Sequence, residues 1–367
     1  MSTTTSIEWT DKTWNPLAGC TRVSEGCRNC YAERMAKRLQ AMGTRGYEGT
    51  IDANGRWTGK VNLIPDALAA PLHWRQPCMI FVNSMSDLFH EAVPFELVDQ
   101  VFAVMALCPQ HTFQVLTKRP ERMADYLSEM ATNQVVKWGK FAGTKVPDRP
   151  AAIQRVIAAR NAMLTRMGKG YDMSLPAWPP PNCWLGTSIE NQATADERIP
   201  HLLRVPAAVR FLSCEPLLGA VNLEQLPDHK GNRSWSCLSN VGEHPTHWQR
   251  SGGTINWVIV GGESGPGARP MHPVWARSIR DQCAAAGVPF FFKQWGEWVP
   301  DASLEEPPNN VDYGEFHDVR PSSWVESCMC SEGHASMLRV GKKAAGRLLD
   351  GRTWAEMPAT STGGGGR

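Results

Sequence analysis

Gly19-Cys20-Thr21-Arg22-Val23-Ser24-Glu25-Gly26-Cys27-Arg28-Asn29-Cys30-Tyr31-Ala32 puts three cysteines within eleven residues, spaced C-x6-C-x2-C. Upstream, Ile7-Glu8-Trp9 reads as a short strand and Thr13-Trp14-Asn15-Pro16 as a turn into the loop. Downstream, Ala32 to Met42 carries Met35, Leu39 and Met42 at helical spacing. The cysteines therefore sit on a loop between a strand and a helix. An odd number of close thiols cannot pair internally, so the pattern suits a metal better than a disulfide. A [4Fe–4S] cluster normally takes four cysteine thiolates, and a trio leaves one iron open to a small-molecule cofactor. Zinc completed by a remote residue, or three unrelated buried thiols, are the alternatives at this level.

Working outward, the strand-helix step repeats. Cys78 to Asn83, Thr112 to Thr117, Cys183 to Ser188, Val209 to Ser213, Trp257 to Glu263 and Val288 to Lys293 are near-continuous apolar runs, as strands buried on both faces require. Helical patterns at Phe95 to Leu107, Ala193 to Val205 and Pro273 to Ala286 fall between them, the last with Gly287 placed as its C-terminal cap. About seven strands alternating with helices predict an α/β fold, a partial or complete parallel α/β barrel, with a doubly wound sheet as second choice. The rhythm breaks at about 128–181, which holds a helical patch at Ala151 to Met167, and again at about 226–253; both read as insertions. Residues 1–300 are thus expected to form one α/β domain. Residues 301–367 are expected to be an irregular extension with a short helix at Lys342 to Leu349 and a disordered tail at Gly363 to Gly366.

The totals bound the class. The chain has 367 residues, net charge +2, 42% hydrophobic and 20% charged residues, the profile of a globular protein. Met1 to Thr10 lacks an apolar core for a signal peptide, and no apolar run nears the roughly 18 residues of a membrane span. Eleven cysteines, mostly scattered singly, fit a reducing cytoplasm. Fifteen tryptophans suit either a core or a pocket for flat ligands.

In either fold the carboxyl ends of the strands face the ligand crevice. Those ends carry Ser84 and Asp87; Thr117, Lys118 and Arg119; Ser188, Glu190 and Asn191; Ser213 and Glu215; Glu263; and Lys293 and Gln294. Ser188, Glu190 and Asn191 offer hydroxyl, carboxylate and amide within one turn, suited to a ribose or amino acid. Gly261-Gly262-Glu263 suits close approach of a ligand, with Glu263 taking an amine or ribose hydroxyl. Two further zinc-like spacings, Cys328/Cys330/His334 and Cys237/His244/His247, fall in the irregular stretches.

Thr13-Trp14-Asn15-Pro16, Gly19-Cys20, Gly26-Cys27 and Asn29-Cys30-Tyr31-Ala32 closely resemble the opening motif of a phage and mobile-element family of unassigned function, whose members are regarded as radical-SAM-like. The similarity continues through Asn83 to Phe89, Leu116 to Pro120, Cys214 to Leu217, Gly261 to Gly265, Lys293 to Gly296 and Ala345 to Arg352, covering nearly the whole chain. The resemblance implies a [4Fe–4S] cluster on Cys20, Cys27 and Cys30, with S-adenosyl-L-methionine on the open iron. It implies an external electron donor, a 5′-deoxyadenosyl radical, and a nucleic acid or nucleotide as substrate class. The first cysteine gap is six, where most radical-SAM enzymes have three. The usual glycine-rich amine-binding segment is replaced by Ser84 to Asp87, which makes Asp87 the expected partner of the methionyl amine and Ser188, Glu190 or Asn191 that of the ribose. A non-catalytic zinc- or cluster-stabilised nucleic-acid-binding protein is the competing reading.

Overall fold

The computed structural model describes residues 5–131, 137–141, 144–148, 151–170, 178–228, 230–239, 253–301, 312–315 and 335–359. Seven strands form the main sheet: β1 Lys12–Trp14, β2 Met79–Val82, β3 Thr112–Thr117, β4 Cys183–Ser188, β5 Val209–Cys214, β6 Trp257–Gly261 and β7 Phe290–Gln294. They lie in the sheet in chain order. A doubly wound sheet reverses its order at a switch point. Unbroken order with parallel pairing is that of a partial parallel α/β barrel.

The chain divides into two compact units. The first comprises residues 1–188, 197–210 and 246–253, and holds β1 to β4 in parallel register, with Thr13 opposite Phe81, Phe81 opposite Gln114 and Gln114 opposite Trp184. Its helices are α1 Tyr31–Ala41, α2 Phe95–Leu107, α3 Pro120–Ala131 and α4 Ala151–Arg166. The buried Asp99 of α2 accepts from Tyr126 Oη of α3 at 2.8 Å and Arg155 Nε of α4 at 2.7 Å. One carboxylate thereby ties three helices, including the helical patch of the first insertion.

The second unit comprises residues 189–196, 211–245 and 254–367. Here Phe211 pairs with Trp257 and Val258 with Phe290, again parallel. Every residue of β6 is buried, as its continuous apolar sequence demands. The helix Pro273–Ala286 starts on His272, whose Nδ1 accepts from Val274 N at 3.2 Å, and stops at Gly287 with φ +68°. Trp298–Pro300, Ser336–Arg339 and Asp312–Glu315 form a small antiparallel sheet where the sequence reads as irregular, because strands of three or four residues leave too little pattern to detect. The helix after it is shorter than expected, Lys342–Ala345.

One strand lies elsewhere than the sequence suggests. Ile7 to Trp9 closes a turn, Thr10 N donating to Ile7 O at 3.3 Å, and the strand is Lys12–Trp14. As an edge strand it carries a lysine and a threonine, and only Trp14 is buried, so no apolar run marks it. The tail Gly363 to Gly366 lies outside the described residues. No helix among the described residues is long and apolar enough to cross a membrane.

Candidate metal centre

The first unit gathers the strand ends of β2, β3 and β4 and the cysteine loop around one pocket of about 660 Å³, counted to its open mouth. Cys20, Cys27, Cys30, Asp87 and Ser188 all line it, as do Asn83, Lys118 and Arg119, with Phe81, Leu116 and Trp57 as apolar wall. All three thiols are free and half-buried. No three His, Cys, Asp or Glu side chains stand at metal-ligating geometry among the described residues.

The loop is held by local chemistry. Gly19 (φ +106°) passes so close to the Lys60 carbonyl that a Cβ would lie 2.1 Å from its oxygen, so only glycine fits before Cys20. A one-turn helix, Glu25–Cys27, closes the six-residue gap at the second cysteine. Arg22, in that gap, forms a two-pronged ion pair with Glu33 of α1, which is buried and also accepts from Trp57 N at 2.9 Å. The longer gap is thus pinned to the helix that follows. On the opposite wall, Asn15 Oδ1 accepts from Ser84 Oγ and Met85 N, both at 3.1 Å, fixing the turn after β2.

Beneath Cys20 lies a charged network. Arg119 donates from Nη1 to Asp87 Oδ2 at 3.1 Å, from Nε to Glu91 Oε1 at 2.8 Å and from Nη2 to Thr21 Oγ1 at 2.6 Å. Its Nη1 also stands 3.9 Å from Cys20 Sγ. Burial alone would lower the guanidinium pKa; Asp87 and Glu91 override it, and the charge is held. His90 Nδ1 accepts from Ala92 N at 3.0 Å, so the neutral ring carries its proton on Nε2, 3.0 Å from Thr21 Oγ1. Burial, reinforced by Arg119, pushes the His90 pKa down and favours that neutral form. Burial pushes the Cys20 thiol up to about 12, with Asp87 and the other two cysteines adding and Arg119 opposing; burial also raises Cys30.

Asp87 was expected to receive an amine. In the structure its carboxylate already accepts from Thr117 Oγ1 (2.7 Å), Phe89 N (2.9 Å), Lys118 N (3.1 Å) and Arg119. Four donors engage all the lone-pair sites a carboxylate offers. Asp87, on the pocket wall, positions Arg119 and the β3 end. Nothing in the sequence marked His90 and Glu91 beyond their place just after Asp87, and that nearness was the one available signal.

Glu190, Asn191 and Glu263 belong to the second unit. Asn191 Oδ1 accepts from Thr194 N at 3.0 Å, capping the helix Gln192–Leu203, while Thr194 Oγ1 accepts from Glu190 N at 2.8 Å. Glu263 is clasped by Arg269 through Nε (2.9 Å), Nη2 (2.7 Å) and backbone N (2.8 Å). The glycines beside it answer to packing: a Cβ on Gly262 would meet Trp295 O at 1.9 Å. Lys293 Nζ pairs with Glu215 Oε1 at 2.8 Å, and Glu215 Oε2 accepts from Ser213 Oγ at 3.1 Å.

Of the other zinc-like sets, Cys237 is fully buried and its thiol is pushed well up by burial, the setting of an inert core cysteine. His244, His247, Cys328, Cys330 and His334 lie outside the described residues.

Residues 4–358 match the family described as "Protein of unknown function (DUF5131)". Comparison with curated proteins gives no match. A solved structure titled "Spore photoproduct lyase complexed with dinucleoside spore photoproduct" is similar over 92% of this chain and 71% of its own, with 8% identity and a TM-score of 0.34.

Proposed function

For this chain, which belongs to the DUF5131 family, we propose a radical S-adenosylmethionine-type enzyme whose [4Fe–4S] cluster is held by Cys20, Cys27 and Cys30. The observation that carries the reading is that these three free thiols line one pocket, at the carboxyl ends of parallel strands. The donor chemistry fits the group: three free thiols on one loop, one short of the four ligands a [4Fe–4S] cluster takes. A cluster held by these cysteines and reduced by an external donor would supply one electron for cleavage of the C5′–S bond of S-adenosylmethionine, with methionine leaving and 5′-deoxyadenosine formed once hydrogen is taken from substrate.

The chain's own residues set the conditions for that chemistry. Arg119 places fixed positive charge against Cys20, which favours a thiolate and a reducible cluster. Asp87 and Glu91 hold that guanidinium in place. Phe81, Leu116 and Trp57 give one wall an apolar lining. Ser188, at the end of β4, is the hydroxyl offered to a ribose or amino acid. A nucleotide or nucleic acid remains the proposed substrate class, with Lys118 at the pocket wall for phosphate.

The test is anaerobic reconstitution with iron and sulfide, reduction, and incubation with S-adenosylmethionine. Release of 5′-deoxyadenosine that requires both cluster and reductant is expected. A bound cluster that never cleaves S-adenosylmethionine would leave a cluster-stabilised binding protein. Colourless protein carrying zinc would sink the cluster itself.

A further inference from the structure

Asn83 is the anomaly of the pocket. It follows β2 directly, is only 3% exposed, and adopts φ +61°, a left-handed conformation that few residues tolerate and asparagine tolerates best after glycine. Its backbone is well served: N donates to Trp14 O at 2.8 Å and O accepts from Ser86 N at 3.3 Å. Its side chain is not. Neither Nδ2 nor Oδ1 finds a hydrogen-bond partner among the described residues, although both atoms are buried. Most buried side-chain polar atoms in native proteins have a partner, so an amide left open at both ends, at a positive φ and on a pocket wall, points to a ligand.

The chemistry of the missing partner can be read from the amide. A carboxamide presents one donor and one acceptor side by side, and the ligand edge that answers it carries an acceptor beside a donor. Adenine has that edge in N7 and the N6 amino group, and asparagine is a standard bidentate partner for it. The neighbouring wall agrees: Phe81, Leu116 and Trp57 supply flat and apolar surface for a planar ring. Asp87 is no rival for this contact, because its four acceptor sites are filled.

We propose that Asn83 is the purine-recognition residue of the cysteine pocket, donating from Nδ2 to N7 and accepting at Oδ1 from the N6 amino group of an adenine ring. This rests on the reading of the pocket as an S-adenosylmethionine site, and extends it to a residue and a contact that the cysteines do not imply.

The experiment is equilibrium binding by calorimetry on the full-length chain, anaerobically reconstituted, with iron determined on the same samples. The probes are S-adenosylmethionine, adenosine, inosine and methionine. The variants are Asn83→Gly, which relieves the positive φ while removing the amide, and Asn83→Asp, which removes the donor. Both should keep wild-type iron content and bind S-adenosylmethionine and adenosine about ten- to a hundredfold more weakly. Wild type should prefer adenosine over inosine, whose O6 faces Oδ1 with an acceptor, and Asn83→Gly should lose that preference. Wild-type affinity for S-adenosylmethionine in both variants would overturn the role of Asn83 and leave the enzyme reading standing. Binding of adenosine that depends on Asn83, in protein that takes up no iron, would uphold the purine site and overturn the enzyme reading. Failure of wild type to bind either adenosyl probe, or an Asn83-dependent affinity for methionine alone, would overturn the purine assignment.

Discussion

Arg119 donates to Asp87 across 3.1 Å with both side chains more than nine-tenths buried, and the same nitrogen faces the Cys20 sulfur. Removing Asp87 takes from the buried Arg119 its buried counter-charge and leaves it only Glu91, which is largely exposed. Asp87→Ala should therefore destabilise the protein by about 3–5 kcal/mol in urea unfolding. Asp87→Asn, which keeps hydrogen-bonding atoms, should cost less. Equal and small effects from both would mean that the pair is not a buried anchor.

Gly262 and Gly170 make a matched contrast. A Cβ on Gly262 would sit 1.9 Å from the Trp295 carbonyl oxygen, whereas one on Gly170 meets nothing within 4 Å. Gly262→Ala should cost at least about 3 kcal/mol and Gly170→Ala no more than about 0.5 kcal/mol, by chemical denaturation. A neutral Gly262→Ala would show that β6 and the Trp295 backbone do not pack so closely.

Asp350 provides the pH test. Burial alone would raise its carboxyl pKa, but hydrogen bonds from Arg280 and Arg277 prevail and hold it below the usual carboxylate value. A carboxylate depressed by folding contributes stability that is fully present above its unfolded pKa and is lost as pH falls through the folded one. Thermal melts of wild type should thus fall on acidification below the ordinary aspartate range, and Asp350→Asn should flatten that limb. At neutral pH Asp350→Asn should be the less stable protein; parallel curves for the two would exclude the linkage.

The main sheet was legible because its strands are buried on both faces: Trp257 to Gly261 carries the continuous apolar sequence that such burial favours, and Cys183 to Ser188 begins with an apolar run before its small and hydroxyl-bearing end. Lys12–Trp14 was not, since an edge strand needs no such run. The cysteine loop could be read from spacing alone, and so could the clustering of the β2, β3 and β4 ends, which follows from parallel order. The partners of those ends could not. Whether Asp87 is open to a ligand or consumed by Thr117, Lys118 and Arg119 depends on side-chain directions that spacing does not encode. Asn83 reads in sequence only as the last residue of the strand run Cys78 to Asn83; its burial and missing side-chain partners are visible in the structure alone.

The cysteine assignment has its own control within the chain. Cys108 is buried at the end of α2, with its thiol raised to about 12 by burial, and does not line the pocket. The most direct measurement is iron and acid-labile sulfide per chain after anaerobic reconstitution, in wild type, Cys27→Ala and Cys108→Ala. The expected result is about four irons in wild type and Cys108→Ala, with the visible chromophore lost in Cys27→Ala. Full iron in Cys27→Ala, or none in wild type, would contradict a cluster on Cys20, Cys27 and Cys30.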